Sequence, residues 1–94
     1  MKLKAHGLFL VRYVTQFVNG DIERKEFDQN YERYFTEHIM HFGKEHPRLS
    51  RRFVSTVGAA YDLGHDLTDE ALRRLLSQAL QMFSGKFGVD DLIQ

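Results

Sequence analysis

The chain has no cysteine. That removes disulfides, thiol catalysis and cysteine-ligated metal sites together, and it fits a reducing compartment such as the cytoplasm. No stretch of about 18 uninterrupted apolar residues occurs, so nothing is expected to cross a membrane. Tryptophan is absent as well, and eight Phe and four Tyr supply the large core side chains in its place. There is a single proline, Pro47. No charge surplus exists either: 13 basic and 13 acidic side chains cancel. A non-specific nucleic-acid binder carries a basic excess, because neutralising phosphates drives its affinity. The glycines form no phosphate-binding loop, and Ser50, Ser55, Ser77 and Ser84 have no nucleophile-elbow or triad context.

What is present describes one small globular domain of 94 residues. A chain of this size buries roughly 60–68% of its unfolded surface, enough for one core. The start, "MKLKAHGLFLVRYVTQFV", has the basic residues and apolar run of a leader peptide. Arg12 interrupts the run, Gln16 and Asn19 follow, and no small-residue cleavage site appears, so it is read as a helix instead. The charge is unevenly spread. Residues 1–20 carry +3, residues 21–46 carry −3, residues 47–65 carry +2 and residues 66–94 carry −2.

Apolar spacing predicts four helices and no strands. The first runs from Ala5 or Gly7 to Val18, with Leu10, Val14, Phe17 and Val18 on one face. Asn19-Gly20 ends it, both tolerating the left-handed conformation. The second runs from Glu23 to Phe42 with Asp21 as its cap. Its stripe is Phe27, Tyr31, Tyr34, Phe35, His38, Ile39 and Phe42. Gly43 to Pro47 is expected to break the pattern. The third covers Leu49 to Leu63, where Gly58, Ala59 and Ala60 leave a thin patch for close approach by another helix. Thr68 caps the fourth, Asp69 to Phe83, with Leu72, Leu75, Leu76, Ala79, Leu80 and Phe83 facing inward. The tail "KFGVDDLIQ" is expected to form a short turn or to pack Phe87, Val89, Leu92 and Ile93 onto the body. Short connections favour antiparallel neighbours, so the fold class is all-α, a single-domain antiparallel four-helix bundle.

Four groups of residues bear on function. His38 and His41 stand three apart with Glu37, Glu45 and His46 nearby, a spacing that two metal ligands on a helix share. The stripe puts His38 near the core and His41 toward solvent, so a partly buried and a surface histidine are expected rather than a metal site. The carboxylates Glu23, Glu26, Asp28, Glu32, Glu37, Asp69, Glu70, Asp90 and Asp91 lie on helix surfaces and starts. Capping and solvation account for them there, whereas acid–base catalysis needs carboxylates in a pocket. No catalytic residue, cofactor or enzyme activity is expected. Arg48, Arg51, Arg52, Arg73 and Arg74 form a possible basic patch on two helices, yet "GHDLTDE" puts acids where a recognition helix meets phosphates. The fourth group is the acidic second helix. Tyr31 and Tyr34 sit at stripe edges, where a ring is buried and its hydroxyl stays wet. Tyrosines beside carboxylates suit a basic protein partner: charge steers encounter and aromatic anchors supply affinity.

In "FVNGDIERKEFDQNYERYF", Phe17-Val18, Gly20, Ile22, Glu26-Phe27 and Tyr31 resemble the signature region of the bacterial self-immunity proteins, the colicin D-type and contact-dependent growth inhibition immunity proteins. The resemblance covers Leu10 to Phe35. It departs from that group at Glu23, where Ser or Thr often caps the helix, and in its zero net charge, where such inhibitors tend to be acidic. The resemblance implies a small four-helix protein that binds a cognate nuclease toxin, often a tRNase, and blocks its basic active site with an acidic helix face. Glu23, Glu26, Asp28, Glu32, Glu37 and Tyr31 are then the partner-binding candidates. A cytoplasmic chain, monomeric or weakly dimeric when free, without direct nucleic-acid or membrane contact, is the corresponding expectation. The alternatives are a small helical nucleic-acid-associated regulator and a homodimeric adaptor.

Overall fold

The computed structural model describes residues 2–85, 88 and 92. The described elements are all helical. α1 spans Ala5–Val18 and α2 spans Arg24–Glu45. Residues 47–63 form one rod in three parts: α3 (Pro47–Phe53), a π-helical segment (Val54–Gly58) and α4 (Ala59–Leu63). α5 spans Asp69–Ser84. Four rods therefore make an antiparallel bundle. α1 packs on α2 and α5, α3 packs on α2, and the rod packs on α5, so each rod lies beside its chain neighbours and the first closes on the last.

Side-chain contacts fix the directions. The start of α1 meets the end of α2 through His6 and Glu45, and the end of α1 meets the start of α2 where Phe17 stacks on Phe27 at 4.2 Å. Phe17, Phe27, Phe42, Phe53 and Phe83 are fully buried and come from all four rods. Edge-to-face pairs Phe42–Phe53 (6.0 Å) and Phe53–Phe83 (5.6 Å) carry the aromatic core from α2 through α3 to α5. Such pairs add about 0.5–1.5 kcal/mol each beyond their buried area. Two glycines make the geometry possible. Gly20 turns the chain after α1 with φ +84°, a conformation that costs side-chain-bearing residues. Gly7 lets α1 approach α2, because a Cβ there would lie 2.6 Å from the Phe42 ring.

The expected boundaries need four corrections. Asp21 does not cap α2: Glu23 holds the N-cap position, and it makes no side-chain cap bond. α2 does not stop at Phe42 but runs on through Gly43 to Glu45. A helical glycine costs roughly 1 kcal/mol, and the packing of Phe42 and the capping work of Glu45 outweigh it. The break expected over residues 43–47 shrinks to His46, because Pro47 takes the N1 position, where a missing N–H costs nothing. His46 caps α3, its Nδ1 accepting from the Leu49 N–H at 3.4 Å. Finally, Gly20 alone of the Asn19-Gly20 pair is left-handed. The Thr68 cap is as expected, its hydroxyl accepting from the Ala71 N–H at 3.2 Å. Of the tail, Leu92 is buried and its carbonyl accepts from the Leu3 N–H. Phe87, Val89 and Ile93, like Asp90 and Asp91, lie outside the described residues.

Candidate functional site

The π segment shapes the surface. Val54, Thr56 and Val57 are β-branched and weak in an α-helix. Ser55 and Thr56 both donate a hydroxyl proton to the Arg52 carbonyl, at 3.1 and 2.6 Å, a back-bonding that loosens or bends helices. π turns recur at functional sites because they re-aim a helix face. Here α2 packs on α3 and then parts from the π segment and α4. Between them lies a groove of about 410 Å³ lined by Tyr31, Glu32, Phe35, Thr36, Val54, Gly58, Ala59, Tyr61 and Asp62. That volume is in the range of small-ligand pockets. The thin patch at Gly58 and Ala59 thus opens a groove instead of admitting another helix, and a Cβ at Gly58 would meet nothing closer than 3.8 Å.

Two tyrosines bridge the two walls, their rings stacked at 4.0 Å. Tyr31 is 4% exposed, and its hydroxyl is sealed from solvent without a hydrogen-bond partner among the described residues. The expectation of a wet hydroxyl fails here, because α4 closes over the ring edge that the single helix left open. An unpaired buried hydroxyl costs about 1–3 kcal/mol. Burial, then the charge of Asp62 and the neighbouring Tyr61, push the Tyr31 phenol well above its ordinary value. Tyr61 is pushed up to about 12 by burial, with Asp28, Glu32 and Asp62 adding to the effect and Arg24 opposing it. The groove therefore sits in a negative field.

The six predicted partner-binding residues do not share one face. Tyr31 and Glu32 line the groove, and Asp28 lies close enough to act on Tyr61. Asp28 is not free, because Arg24 Nε holds its carboxylate at 2.9 Å. Glu26 and Glu37 lie on the flank toward α1. The Glu26 carbonyl accepts from the Tyr13 hydroxyl, and Glu37 stands 3.9 Å from Arg33, whose guanidinium lies over Tyr34. Glu23 is exposed at the α2 N-cap, beside Arg24, Lys25, Asp69 and Arg73. Asp62, which the sequence reading did not single out, completes the groove. Its signal was faint: an exposed acid one place after a stripe tyrosine. Arg24 was also missed. Besides Asp28 it reaches Asp69 and the carbonyls of His65 and Leu67, tying the turn after α4 to the start of α2.

Two of the five arginines of the supposed basic patch have other partners. Arg73 donates to the Phe17 and Ile22 carbonyls, and Arg52 donates to the Phe83 carbonyl. Both are spent on chain ends of neighbouring helices.

The histidines gather a partner from α1. His6 Nδ1 and His38 Nδ1 share one hydrogen bond at 2.8 Å, and His6 stacks on His41 at 4.4 Å. Phe9 stacks on His38 at 4.2 Å. Glu45 accepts from the His6 and Gly7 backbone N–H groups, both at 3.0 Å. It thereby caps α1, whose own N-cap Lys4 supplies no side-chain bond. Burial raises the Glu45 pKa, but those two N–H bonds together with His6 and Lys4 hold it below its ordinary value. No group of three or more histidine or acidic side chains among the described residues is arranged to hold a metal ion. The cluster is a clasp between α1 and α2 that works when one ring donates and the other accepts. Burial and the nearby His6 and His41 lower the His38 pKa, against the opposing pull of Glu37 and Glu45. A depressed folded-state value means that the unfolded chain binds this proton first as pH falls. Stability is therefore full above about pH 6.5 and declines below it. The urea midpoint is expected to be lower at pH 5.5 than at pH 7.5, and His38→Gln to flatten that slope. An unchanged slope in the variant would place the titration elsewhere.

The architecture defines a helical-bundle protein with an acidic, tyrosine-walled groove beside a π turn. No family model, curated protein or solved structure matches the chain. No described helix is long and apolar enough to cross a membrane.

Proposed function

We propose that the chain is a non-enzymatic binding protein whose groove between α2 and the π segment and α4 receives a basic part of a protein partner. In line with its resemblance to colicin D-type and contact-dependent inhibition immunity proteins, that partner is a cognate nuclease toxin domain, neutralised in the cytoplasm. The observation that carries this reading is the groove itself. Glu32 and Asp62 face it from opposite helices, neither has an ion-pair partner among the described residues, and no basic residue lines it. Carboxylates left unpaired beside aromatic walls suit a cationic partner, in which charge steers encounter and buried rings anchor. The net charge of zero is no obstacle, since the field that a partner meets is local.

The test is whether the chain inhibits a nuclease domain encoded by a neighbouring gene, by nuclease assay and by calorimetry. Glu32→Lys and Asp62→Lys are each expected to weaken binding about tenfold or more, about 1.4 kcal/mol. Glu26→Lys, on the other flank, is expected to change it little. Equal losses from all three would make the charge effect general and move the interface off the groove. No inhibition by the unsubstituted chain would end the immunity reading.

A further inference from the structure

We propose that the groove is a receptor for an arginine side chain, with the guanidinium held between Glu32 and Asp62 and against the aromatic walls. This rests on the reading of the groove as the partner site and adds which chemistry fills it. Three observations select the ligand. First, the lining contains two carboxylates from different helices and no Lys, Arg or His, so an anion is refused and a cation is attracted. Second, neither Glu32 nor Asp62 has an ion-pair partner among the described residues. Third, the remaining walls are aromatic or apolar: Tyr31, Phe35, Tyr61 and Val54, with Gly58 and Ala59 keeping the slot open.

An ammonium and a guanidinium answer these demands differently. Lysine is a compact, strongly hydrated point charge, and a slot with apolar walls strips its water without replacing it. Arginine is planar, weakly hydrated, stacks on rings, and carries five N–H donors in a fixed fork. One guanidinium can thus serve two carboxylates on opposite walls while its plane lies against an aromatic ring. The raised value of the Tyr61 phenol, to which Asp28, Glu32 and Asp62 contribute, is consistent with the negative field such a cation would meet.

The experiment uses the full chain and three peptides: acetyl-Gly-Arg-Gly-amide, its lysine analogue and its uncharged citrulline analogue. Each is titrated while amide and aromatic NMR signals are followed. Saturable shifts at Gly58, Ala59 and the rings of Tyr31 and Tyr61 are expected with the arginine peptide. Affinity should be about tenfold weaker with lysine, and citrulline should give no saturable shift. Glu32→Gln and Asp62→Asn should each weaken the arginine peptide several-fold. Equal shifts by arginine and citrulline, or arginine shifts that centre on Glu26 and Glu37, would overturn the proposal, as would no saturable shift. Failure here while toxin inhibition remains sensitive to Glu32→Lys would leave the binding reading standing without this ligand. Arginine binding without any toxin inhibition would remove the immunity reading and keep the receptor.

Discussion

Phe27→Ala is expected to destabilise the fold by about 3–5 kcal/mol, near the upper end for a single core substitution. A domain of this size has roughly 5–14 kcal/mol of total stability, so the loss is a large share of it. Phe27 is fully buried near the start of α2 and is the ring on which three elements meet. It stacks on Phe17 of α1 at 4.2 Å and on Tyr13 at 5.5 Å, tilts against Tyr31 at 5.3 Å, and meets Tyr61 of α4 edge-on at 5.7 Å. Alanine leaves a cavity bounded by other rings, which cannot collapse into it without giving up their own stacking. Thermal or urea denaturation should show Tm falling by more than about 10 °C. Met40→Ala is the comparison: that side chain is 72% exposed, and its loss should stay within about 0.5 kcal/mol. A loss below about 1 kcal/mol at Phe27 would mean that the aromatic cluster repacks freely. Because Phe27 touches both tyrosines of the groove, the surviving folded fraction should also show a weaker groove.

Much of this fold was written in local signals. The apolar stripes of α1, α2 and α5 have helical period, and Thr68 and Gly20 are end signals whose chemistry acts within a few residues. Those features need no knowledge of the rest of the chain. Gly43 and Pro47 misled for the same reason. Their local preference for a break is real but small, and packing along α2 and the N1 position of α3 absorb it. The π segment left only a faint trace, the β-branched Val54, Thr56 and Val57, since Phe53, Val57, Ala60 and Tyr61 still fit an α-helical stripe and one added residue in a turn does not disturb it. The groove follows from that hidden turn. Glu32 and Asp62 are 30 positions apart in the sequence, so their facing each other is a tertiary fact. The histidine clasp is similar: His38 and His41 were visible as a pair, but His6 joins them only because α1 runs antiparallel to α2. The split of the predicted carboxylates onto two flanks was partly legible. A helix advances about 100° per residue, which sets Asp28 and Glu32 together and Glu26 with Glu37. Which flank faces a groove was not.

Arg73→Ala is expected to cost about 1.5–3 kcal/mol, the range for hydrogen bonds from a charged group. Arg73 Nε donates to the Phe17 carbonyl at 2.9 Å and Nη2 to the Ile22 carbonyl at 3.4 Å, and the guanidinium lies 4.5 Å over the Phe17 ring. Phe17 stands in the last turn of α1, where unpaired carbonyls concentrate negative potential, so a cation there acts on the helix end as well as on the two acceptors. One side chain from α5 thereby fixes the α1–α2 connection. Arg73→Lys should recover little, because an ammonium cannot span both carbonyls while lying flat on a ring. Arg74→Ala, at an exposed neighbouring position, should be nearly neutral. Denaturation midpoints of the three variants decide the matter, and equal small effects would return Arg73 to the surface patch. None of the Arg73 contacts lines the groove. The folded fraction of Arg73→Ala should accordingly bind a basic partner as tightly as the unsubstituted chain, whereas Glu32→Lys should bind poorly and unfold at nearly the normal midpoint. That crossed pattern separates the cations that hold the bundle together from the carboxylates left over for recognition.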